Sequence, residues 1–349
     1  MERDGAAATW YEAYTSGDEV ERRLQDEQYE YEEEVEVEEL IDDEPMSING
    51  RLFLGSIDAA RNVVALRRLR IGGALALLGK GEGVSAVSGH SSAVGEAYEE
   101  LKLARTTVEI EDSKDGDLLC KLPKILAELK KLVETAERDD TNVLVHCIAG
   151  RSRSASVVTA WMLVNGPSQQ SVQDVVDRIR IIRPWIEINS HFMRDLHLFH
   201  AALNLPKGSA LNVENVTLLK DRSFPRLDFG SNLVDGIIRG KKTITMRLLS
   251  DIDSDLNSDL KGIFTYSIVA ATTTSVNNSS SRAQFAYLQI NKIETRELGT
   301  IDPTTLQKSG FRTVEDVLSV LRQFYESVTT STPLLMLHFH YMCSYDESS

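Results

Sequence analysis

A cysteine, an arginine and several small residues lie together in the chain with the spacing of a phosphate-binding loop. The segment His146–Ser154 reads His-Cys-Ile-Ala-Gly-Arg-Ser-Arg-Ser and follows a strand-like run, Asn142–Val145. A helix-like run begins at Ser154. A loop from Cys147 to Arg153 can turn its backbone N–H groups onto an anion, while the guanidinium binds two phosphate oxygens. Because the positive end of the helix favours a thiolate at the cysteine, the segment predicts a nucleophile that attacks phosphorus.

This loop resembles the signature of the dual-specificity branch of the cysteine-dependent protein phosphatases, which reads His-Cys-x-x-Gly-x-Ser-Arg-Ser. Every specified position is matched. The resemblance implies that Cys147 is the nucleophile, that Arg153 is catalytic, and that the Ser154 hydroxyl assists hydrolysis of the phosphocysteine. It also implies a phosphate cradle made of Ile148, Ala149, Gly150, Arg151, Ser152 and Arg153. No metal or cofactor is expected, because His146 and Cys147 are adjacent and no Cys/His cluster supplies the usual four ligands.

The proton donor is expected on a loop that precedes the signature. Phosphatases of this branch carry an aspartate there, and the matching stretch is Thr107–Ser113. We therefore predict Asp112 as the general acid. Asp115 and Asp117 are the alternatives, although both could instead cap the helix expected to begin near Asp117. His146 is expected to hold the loop through a backbone hydrogen bond rather than to act as a base.

The flanking sequence predicts an α/β domain in which helices flank a central sheet. Ile71–Leu78 reads as a buried strand. Apolar residues recur at helical spacing over three later segments, 118–132, 157–164 and 172–179. The resemblance to the phosphatases extends from about Met46 to Leu205.

Residues 79–95 depart from the phosphatase pattern. They are rich in glycine and serine and look like a flexible insertion between two strands. Such an insertion could flank the substrate groove or be an idle loop.

Net charge and composition predict the division of the chain. Residues 1–45 hold 18 acidic residues and three arginines, so this segment accounts for the whole net charge of −15. It cannot bury enough apolar surface to fold alone and is predicted to be a disordered acidic tail. The composition changes after Leu205 to short β-like runs, which marks a second domain. The predicted parts are the tail (1–45), the phosphatase domain (46–206), the second domain (211–343) and a short terminal segment (344–349).

The second domain is predicted to be a small β-barrel-like α+β module. Its expected elements are a helix over 228–239, an extended segment over 242–247, strands over 263–271, 285–293 and 334–341, and a helix over 314–325 behind Thr313. The polar segment 272–281 is expected to be a disordered loop.

Two motifs of this domain, Gly240–Arg247 and Gly310–Thr313, resemble the ASCH domain, which is related to PUA-like RNA-binding modules. The resemblance implies a cleft for RNA or a nucleotide, and positive side chains would supply the charge that such a ligand needs. The cleft residues would be Lys241, Lys242, Thr245 and Arg247. A solvated hairpin face is the alternative for the two lysines. Hydrolysis is not expected there, because Ser309 and Gly310 stand where hydrolytic relatives carry a glutamate.

The predicted function is hydrolysis of phosphotyrosine and phosphoserine or phosphothreonine in protein substrates through a cysteinyl phosphate. The chain has three cysteines, no signal-peptide pattern and no apolar run long enough to span a membrane. Because a reactive thiolate needs a reducing compartment, the protein is predicted to be intracellular, cytoplasmic or nuclear, without a membrane partner. An RNA 5′-triphosphatase that uses the same loop is one alternative, although its relatives tend to carry Asn and Thr where Ser152 and Ser154 stand. A non-catalytic module that binds phospho-ligands or RNA is the other.

Overall fold

The structure is a computed structural model that describes residues 42–82, 90–167, 169–249, 258–275, 278–323, 325 and 327–345. The predicted acidic tail lies outside these residues except for its last four. From Asp42 onward the chain forms one compact unit, built on two five-stranded sheets. Among the described residues, no helix combines the length and apolarity that crossing a membrane requires.

The first sheet has the strand order β1-β2-β5-β3-β4. β1 pairs antiparallel with β2, and the remaining pairs are parallel. The strands are β1 (Met46–Asn49), β2 (Leu52–Gly55), β3 (Ile71–Leu78), β4 (Ala104–Glu109) and β5 (Asn142–His146). The helices are α1 (Ile57–Arg61), α2 (Val63–Arg68), α3 (His90–Leu101), α4 (Leu118–Arg138), α5 (Arg153–Asn165), α6 (Val172–Ile182) and α7 (Ser190–Leu203).

Alternating side chains bury both faces of this sheet. In β5, Val143 and Val145 join the core formed with α4 to α7, whereas Leu144 joins a second core formed with α1 to α3. In β2, Leu54 and Phe53 divide in the same way. A sheet covered by helices on both faces explains why its strands are almost continuously apolar. The predicted α/β class and the buried strand over Ile71–Leu78 are confirmed.

Three loops leave the carboxyl ends of neighbouring parallel strands. β3 runs into Gly79–Glu82, β4 into residues 110–117, and β5 into the loop that starts at Cys147. We call residues 110–117 the acid loop, because they carry the predicted general acid. Since the carboxyl ends of parallel strands meet at one edge of a sheet, the fold assembles a site there.

The expectation of a flexible insertion over residues 79–95 is wrong from His90 onward, where α3 begins. Its Ala97 and Tyr98 are buried against the sheet face formed by Phe53 and Leu144. This packing stabilises a helix whose first residues are poor helix formers. Residues 83–89 lie outside the described part of the chain.

The second sheet has the order β6-β8-β9-β10-β7, in which only β6 and β8 are parallel. Its strands are β6 (Arg226–Phe229), β7 (Ile244–Leu248), β8 (Ile268–Ser275), β9 (Asn278–Glu297) and β10 (Pro333–Ser344). The helices are α8 (Val213–Lys220), α9 (Val234–Ile238), α10 (Ser258–Lys261), α11 (Pro303–Ser309) and α12 (Val314–Leu321). Arg247 on one edge strand donates to the Asp228 carbonyl on the other at 2.6 Å, so the sheet curls in a barrel-like way.

Three expectations for the second half are wrong. The segment predicted as a helix over 228–239 starts as the end of β6, because it pairs in parallel with β8, a partner distant in sequence. The described residues of the polar segment 272–281 continue β8 and β9 instead of forming a disordered loop. The strand predicted from residue 263 begins only at Ile268.

The first half of the chain, which carries the first sheet, and the second half, which carries the second sheet, share a hydrophobic core. Leu219, Tyr287 and Met342 of the second half are buried in the same cluster as α4 to α7. The second half is therefore packed against the helices that surround the predicted site.

Candidate active site

The loop that starts at Cys147 joins β5 to α5, as the sequence predicts. Gly150 has a φ of +63°, and a Cβ there would lie 2.3 Å from Nη2 of Arg183 and 2.6 Å from the Gly55 carbonyl oxygen. Only glycine permits this approach. The fully buried Arg183 donates from Nε to the Gly150 carbonyl at 2.9 Å and from both Nη atoms to the Asp42 carboxylate. An ion pair thus supports the loop from the protein interior.

Cys147 is 1% exposed, and its sulfur lies between two hydrogen-bonding groups. The Gly150 N–H donates to Sγ at 3.2 Å, and the Ser154 hydroxyl lies 3.2 Å from Sγ. Both groups, together with the N-terminus of α5, stabilise negative charge on sulfur. The same distance lets the Ser154 hydroxyl stabilise the sulfur as a leaving group, the role predicted for it.

The other cradle residues differ in exposure. Ile148 is half-buried, Ala149 and Arg151 are exposed, and Ser152 is buried. The mixture fits a loop that has one side in the protein and the other open to a ligand.

The Arg153 guanidinium is buried beside the cysteine and binds a carboxylate that the sequence did not single out. Nη1 and Nη2 lie 2.5 and 3.3 Å from the two carboxylate oxygens of Glu82, and Nη1 also donates to the Ile110 carbonyl at 3.4 Å. Within the described part of the chain, the buried Nε makes no hydrogen bond. Arg153 therefore keeps one donor for an incoming ligand.

Glu82 lies in the Gly/Ser-rich insertion, at the end of its described part. Burial raises the pKa of its carboxyl group, but hydrogen bonds from Arg153 and the Gly79 N–H outweigh burial and leave the pKa below its usual value. Only the proposal that the insertion flanks the groove pointed toward this residue. No motif could identify it, because a single glutamate among glycines has no distinctive spacing.

Asp112 is held over the loop by two donors. The Ser152 hydroxyl and the Asn189 side-chain amide both donate to Oδ1 at 2.6 Å. Its Oδ2 lies 3.8 Å from Nε of Arg153. The fold thus brings the predicted acid to the predicted phosphate-binding arginine, across 41 residues of sequence.

The two alternative acids occupy other environments. Asp115 is exposed, and its backbone N–H donates to Ser113 at the start of a short 3-10 turn, Lys114–Gly116. Asp117 is paired with Arg222, at 2.6 Å between Oδ1 and Nη1. Asp112 is the one of the three that contacts the signature loop in the described structure.

His146 is buried directly before the cysteine. Its Nε2 lies 2.8 Å from the Tyr98 hydroxyl and its Nδ1 lies 3.3 Å from the Cys147 carbonyl oxygen. Burial lowers the pKa of His146 to about 4, so the ring is neutral near neutral pH. These contacts agree with the predicted role of holding the loop.

The residues predicted to line a second cleft divide into buried and exposed groups. Lys242 is 6% exposed, and its Nζ donates to the Ile244 carbonyl at 2.8 Å and to the Ser309 carbonyl. Burial, and then the charge of Arg247, lower the pKa of Lys242 to about 7. Arg247 also donates to the buried Thr245 hydroxyl at 2.8 Å.

Lys241 is exposed. The structure therefore brings Lys242, Thr245 and Arg247 together and leaves Lys241 in solvent. In the described ranges, no group of three or more His, Cys, Asp or Glu side chains is arranged to hold a metal ion.

Comparison with known proteins bears on the first half of the chain. Residues 86–202 match the family model described as "Dual specificity phosphatase, catalytic domain". A putative tyrosine phosphatase (123R) of Invertebrate iridescent virus 6 is 34% identical over 97 residues, which cover 28% of this chain and 64% of that protein. The dual specificity protein phosphatase Mpk3 of Drosophila melanogaster is 32% identical over 102 residues, 29% of this chain and 23% of that protein.

A solved structure, that of human DUSP28, covers 46% of this chain and 94% of its own, with 26% identity and a TM-score of 0.36. The chain spans less than two thirds of the length of the curated relatives that it matches. The family model and the curated relatives support a dual-specificity phosphatase catalytic domain in this chain. The matched segment, 86–202, lies within the range that the sequence resemblance delimits.

Proposed function

We propose that the chain hydrolyses phosphate monoesters on tyrosine and on serine or threonine of proteins, through a cysteinyl-phosphate intermediate. The observation that carries this proposal is the convergence on one loop of a hydrogen-bonded sulfur, an arginine with a spare donor and a carboxyl group. The sulfur belongs to Cys147, the donor to Arg153 and the carboxyl group to Asp112. Curated relatives named tyrosine phosphatase and dual specificity protein phosphatase support the same substrate class.

In the proposed reaction, Sγ of Cys147 attacks phosphorus while the bond to the substrate oxygen breaks. Asp112 delivers its proton to that oxygen, so the alcohol or phenol leaves neutral. Water then attacks phosphorus and passes a proton to the Asp112 carboxylate while the sulfur–phosphorus bond breaks, and the Ser154 hydroxyl stabilises the departing thiolate. Loop N–H groups and Nε of Arg153 stabilise the charge on the phosphoryl oxygens.

Ser152 and Asn189 donate to Asp112 and hold its carboxyl group over the signature loop. The active form needs this carboxyl group protonated, so turnover is expected to fall as the pH rises.

The test compares purified protein on a phosphotyrosyl peptide, a phosphothreonyl peptide and 5′-triphosphorylated RNA. We expect turnover of both peptides, a loss of all turnover in Cys147→Ser, and a loss of about 100-fold or more in Asp112→Asn. A preference for the RNA end by orders of magnitude would instead establish the 5′-triphosphatase alternative. Binding of a phosphopeptide without any turnover would establish the non-catalytic module.

For the second half, we propose an ASCH-like ligand site for RNA or a nucleotide beside Arg247. The supporting observation is a cluster in which Arg247 donates to the Thr245 hydroxyl and lies close enough to Lys242 for its charge to help lower the pKa of that lysine. Binding of a short RNA to Lys241→Ala and Arg247→Ala variants tests the site. A site of this kind loses affinity in both variants, whereas a solvated hairpin leaves affinity unchanged.

A further inference from the structure

Arg222 connects the second half of the chain to the acid loop. It follows α8, outside the segment that matches the phosphatase family model, and its side chain is 12% exposed. Its Nη1 donates to Asp117 at 2.6 Å and to Asp195 at 3.1 Å, its Nη2 donates to Asp195, and its Nε donates to the Leu218 carbonyl at 3.0 Å. The whole guanidinium is thus committed to this cluster.

Asp117 is the last residue of the acid loop and has a strained backbone. Its φ is +41°, a conformation that costs a residue with a side chain about 1–2 kcal/mol. It stands at the N-cap of α4, yet its carboxylate makes no capping hydrogen bond to that helix. The carboxylate pairs instead with Arg222, and this ion pair fixes the residue at the end of the acid loop. The loop that begins near Asp112 therefore ends at a residue fixed by the second half.

Asp195 offers a second route from Arg222 to the acid. It is 3% exposed in α7, and its Oδ2 accepts the N–H of Leu119 in the first turn of α4 at 3.1 Å. The cap residue of α7 is Asn189, whose side chain donates to Asp112. Without Arg222, the buried charge of Asp195 would lack its partner. Arg222 therefore contacts both the loop that carries Asp112 and the helix that orients it.

We propose that Arg222 is a positioning residue for proton donation, so that the second half of the chain sets the efficiency of the general acid. The proposal rests on the phosphatase activity proposed above. It separates two parts of one reaction: attack by Cys147 is independent of Arg222, while protonation of the leaving oxygen depends on it.

The test uses the full chain with two substrates that differ in their need for an acid. p-Nitrophenyl phosphate releases a stable phenolate, whereas phenyl phosphate releases a phenol that resembles tyrosine, with a pKa of about 10. We expect Arg222→Met to lower kcat/KM about tenfold or more on phenyl phosphate and less than about threefold on p-nitrophenyl phosphate, as part of the 10²–10⁴-fold effect of a general acid. The rate at which iodoacetate alkylates Cys147 is expected to stay unchanged.

Three further variants complete the design. Asp112→Asn gives the reference pattern for a lost acid. Asp117→Asn removes only the ion pair between Arg222 and the acid loop and leaves the pair with Asp195 intact. It is expected to lower kcat/KM more on phenyl phosphate than on p-nitrophenyl phosphate, by a smaller factor than Arg222→Met does. Arg296→Met, which removes an arginine paired within the second half to Glu294, is the matched control and is expected to change neither ester.

The outcomes are distinguishable. If the wild-type protein hydrolyses neither ester, the proposed function is wrong and the role of Arg222 with it. If the wild type hydrolyses both esters and Arg222→Met lowers kcat/KM equally on both, or on neither, the proposed role of Arg222 is refuted while the proposed function stands. Should Arg222→Met fail to fold, Asp117→Asn decides, and an equal effect of that variant on both esters refutes the proposal.

Discussion

Replacing Gly150 with alanine tests how the signature loop is built. The new Cβ would lie 2.3 Å from Nη2 of Arg183 and 2.6 Å from the Gly55 carbonyl oxygen, below the distance that real Cβ atoms tolerate. The residue also keeps a φ of +63°, which costs about 1–2 kcal/mol for an L-residue. Overpacking adds about 1–3 kcal/mol. We therefore expect Gly150→Ala to lose about 2–5 kcal/mol of unfolding free energy.

Gly50→Ala is the matched control for this variant. Gly50 has a φ of +55° with nothing within 4 Å of a built Cβ, so the control carries the backbone cost without the collision. Its expected loss is about 1–2 kcal/mol. Urea unfolding followed by circular dichroism measures both variants, and unchanged m-values make the two midpoints comparable.

The two variants should also differ in turnover under conditions where both are folded. If Gly150 moves, its N–H leaves Sγ of Cys147, and a hydrogen bond to a charged group contributes about 1.5–3 kcal/mol. The expected loss of kcat is about tenfold to a hundredfold for Gly150→Ala and none for Gly50→Ala. Equal urea midpoints for the two variants, or full turnover by Gly150→Ala, would refute this account of the loop.

Three more outcomes are expected. Asp42→Asn removes the charge that pairs with the fully buried Arg183, so it should cost about 3 kcal/mol of unfolding free energy, measured by urea titration; an unchanged midpoint would contradict the pairing. Ser154→Ala should slow hydrolysis of the phosphoenzyme about tenfold to a hundredfold, because the departing sulfur loses its hydrogen bond. The phosphoenzyme then accumulates, so rapid mixing with p-nitrophenyl phosphate should show a burst of p-nitrophenol. Slower release of p-nitrophenol without accumulation of the phosphoenzyme would argue against this role. Burial, followed by the charge of Arg247, lowers the pKa of Lys242 from 10.5 to about 7. Between these two values the unfolded chain binds a proton that the folded chain does not, so the free energy of unfolding should gain a contribution from Lys242 that rises with pH from about 7 to 10.5. This rise should be absent in Lys242→Met, and parallel pH profiles of the two proteins would show that Lys242 does not titrate in this range.

Much of the first half could be predicted because its signals are local. The signature loop needs its residue types at fixed spacing between a strand and a helix, and the structure has β5 and α5 at those positions. The helices α4 and α6 could also be predicted from a local signal, because apolar residues at helical spacing form one face that packs against the core. The failures are nonlocal. Residues from His90 to Gly95 become helical because later residues of α3 pack on the sheet, and the polar strands of the β8–β9 hairpin exist because they pair with each other.

The sequence by itself singled out Cys147 as the proposed nucleophile, Arg153 as the proposed phosphate-binding arginine and Asp112 as the proposed acid. Residue type and short-range spacing carry that information, because a loop between a strand and a helix has few ways to close around an anion. Only the tertiary structure decided which distant side chains hold these groups: Glu82 on Arg153, Asp42 and Arg183 beneath the loop, and Arg222 at the end of the acid loop. Such ion pairs join residues far apart in the chain, so their partners are fixed by how the two sheets and their helices pack.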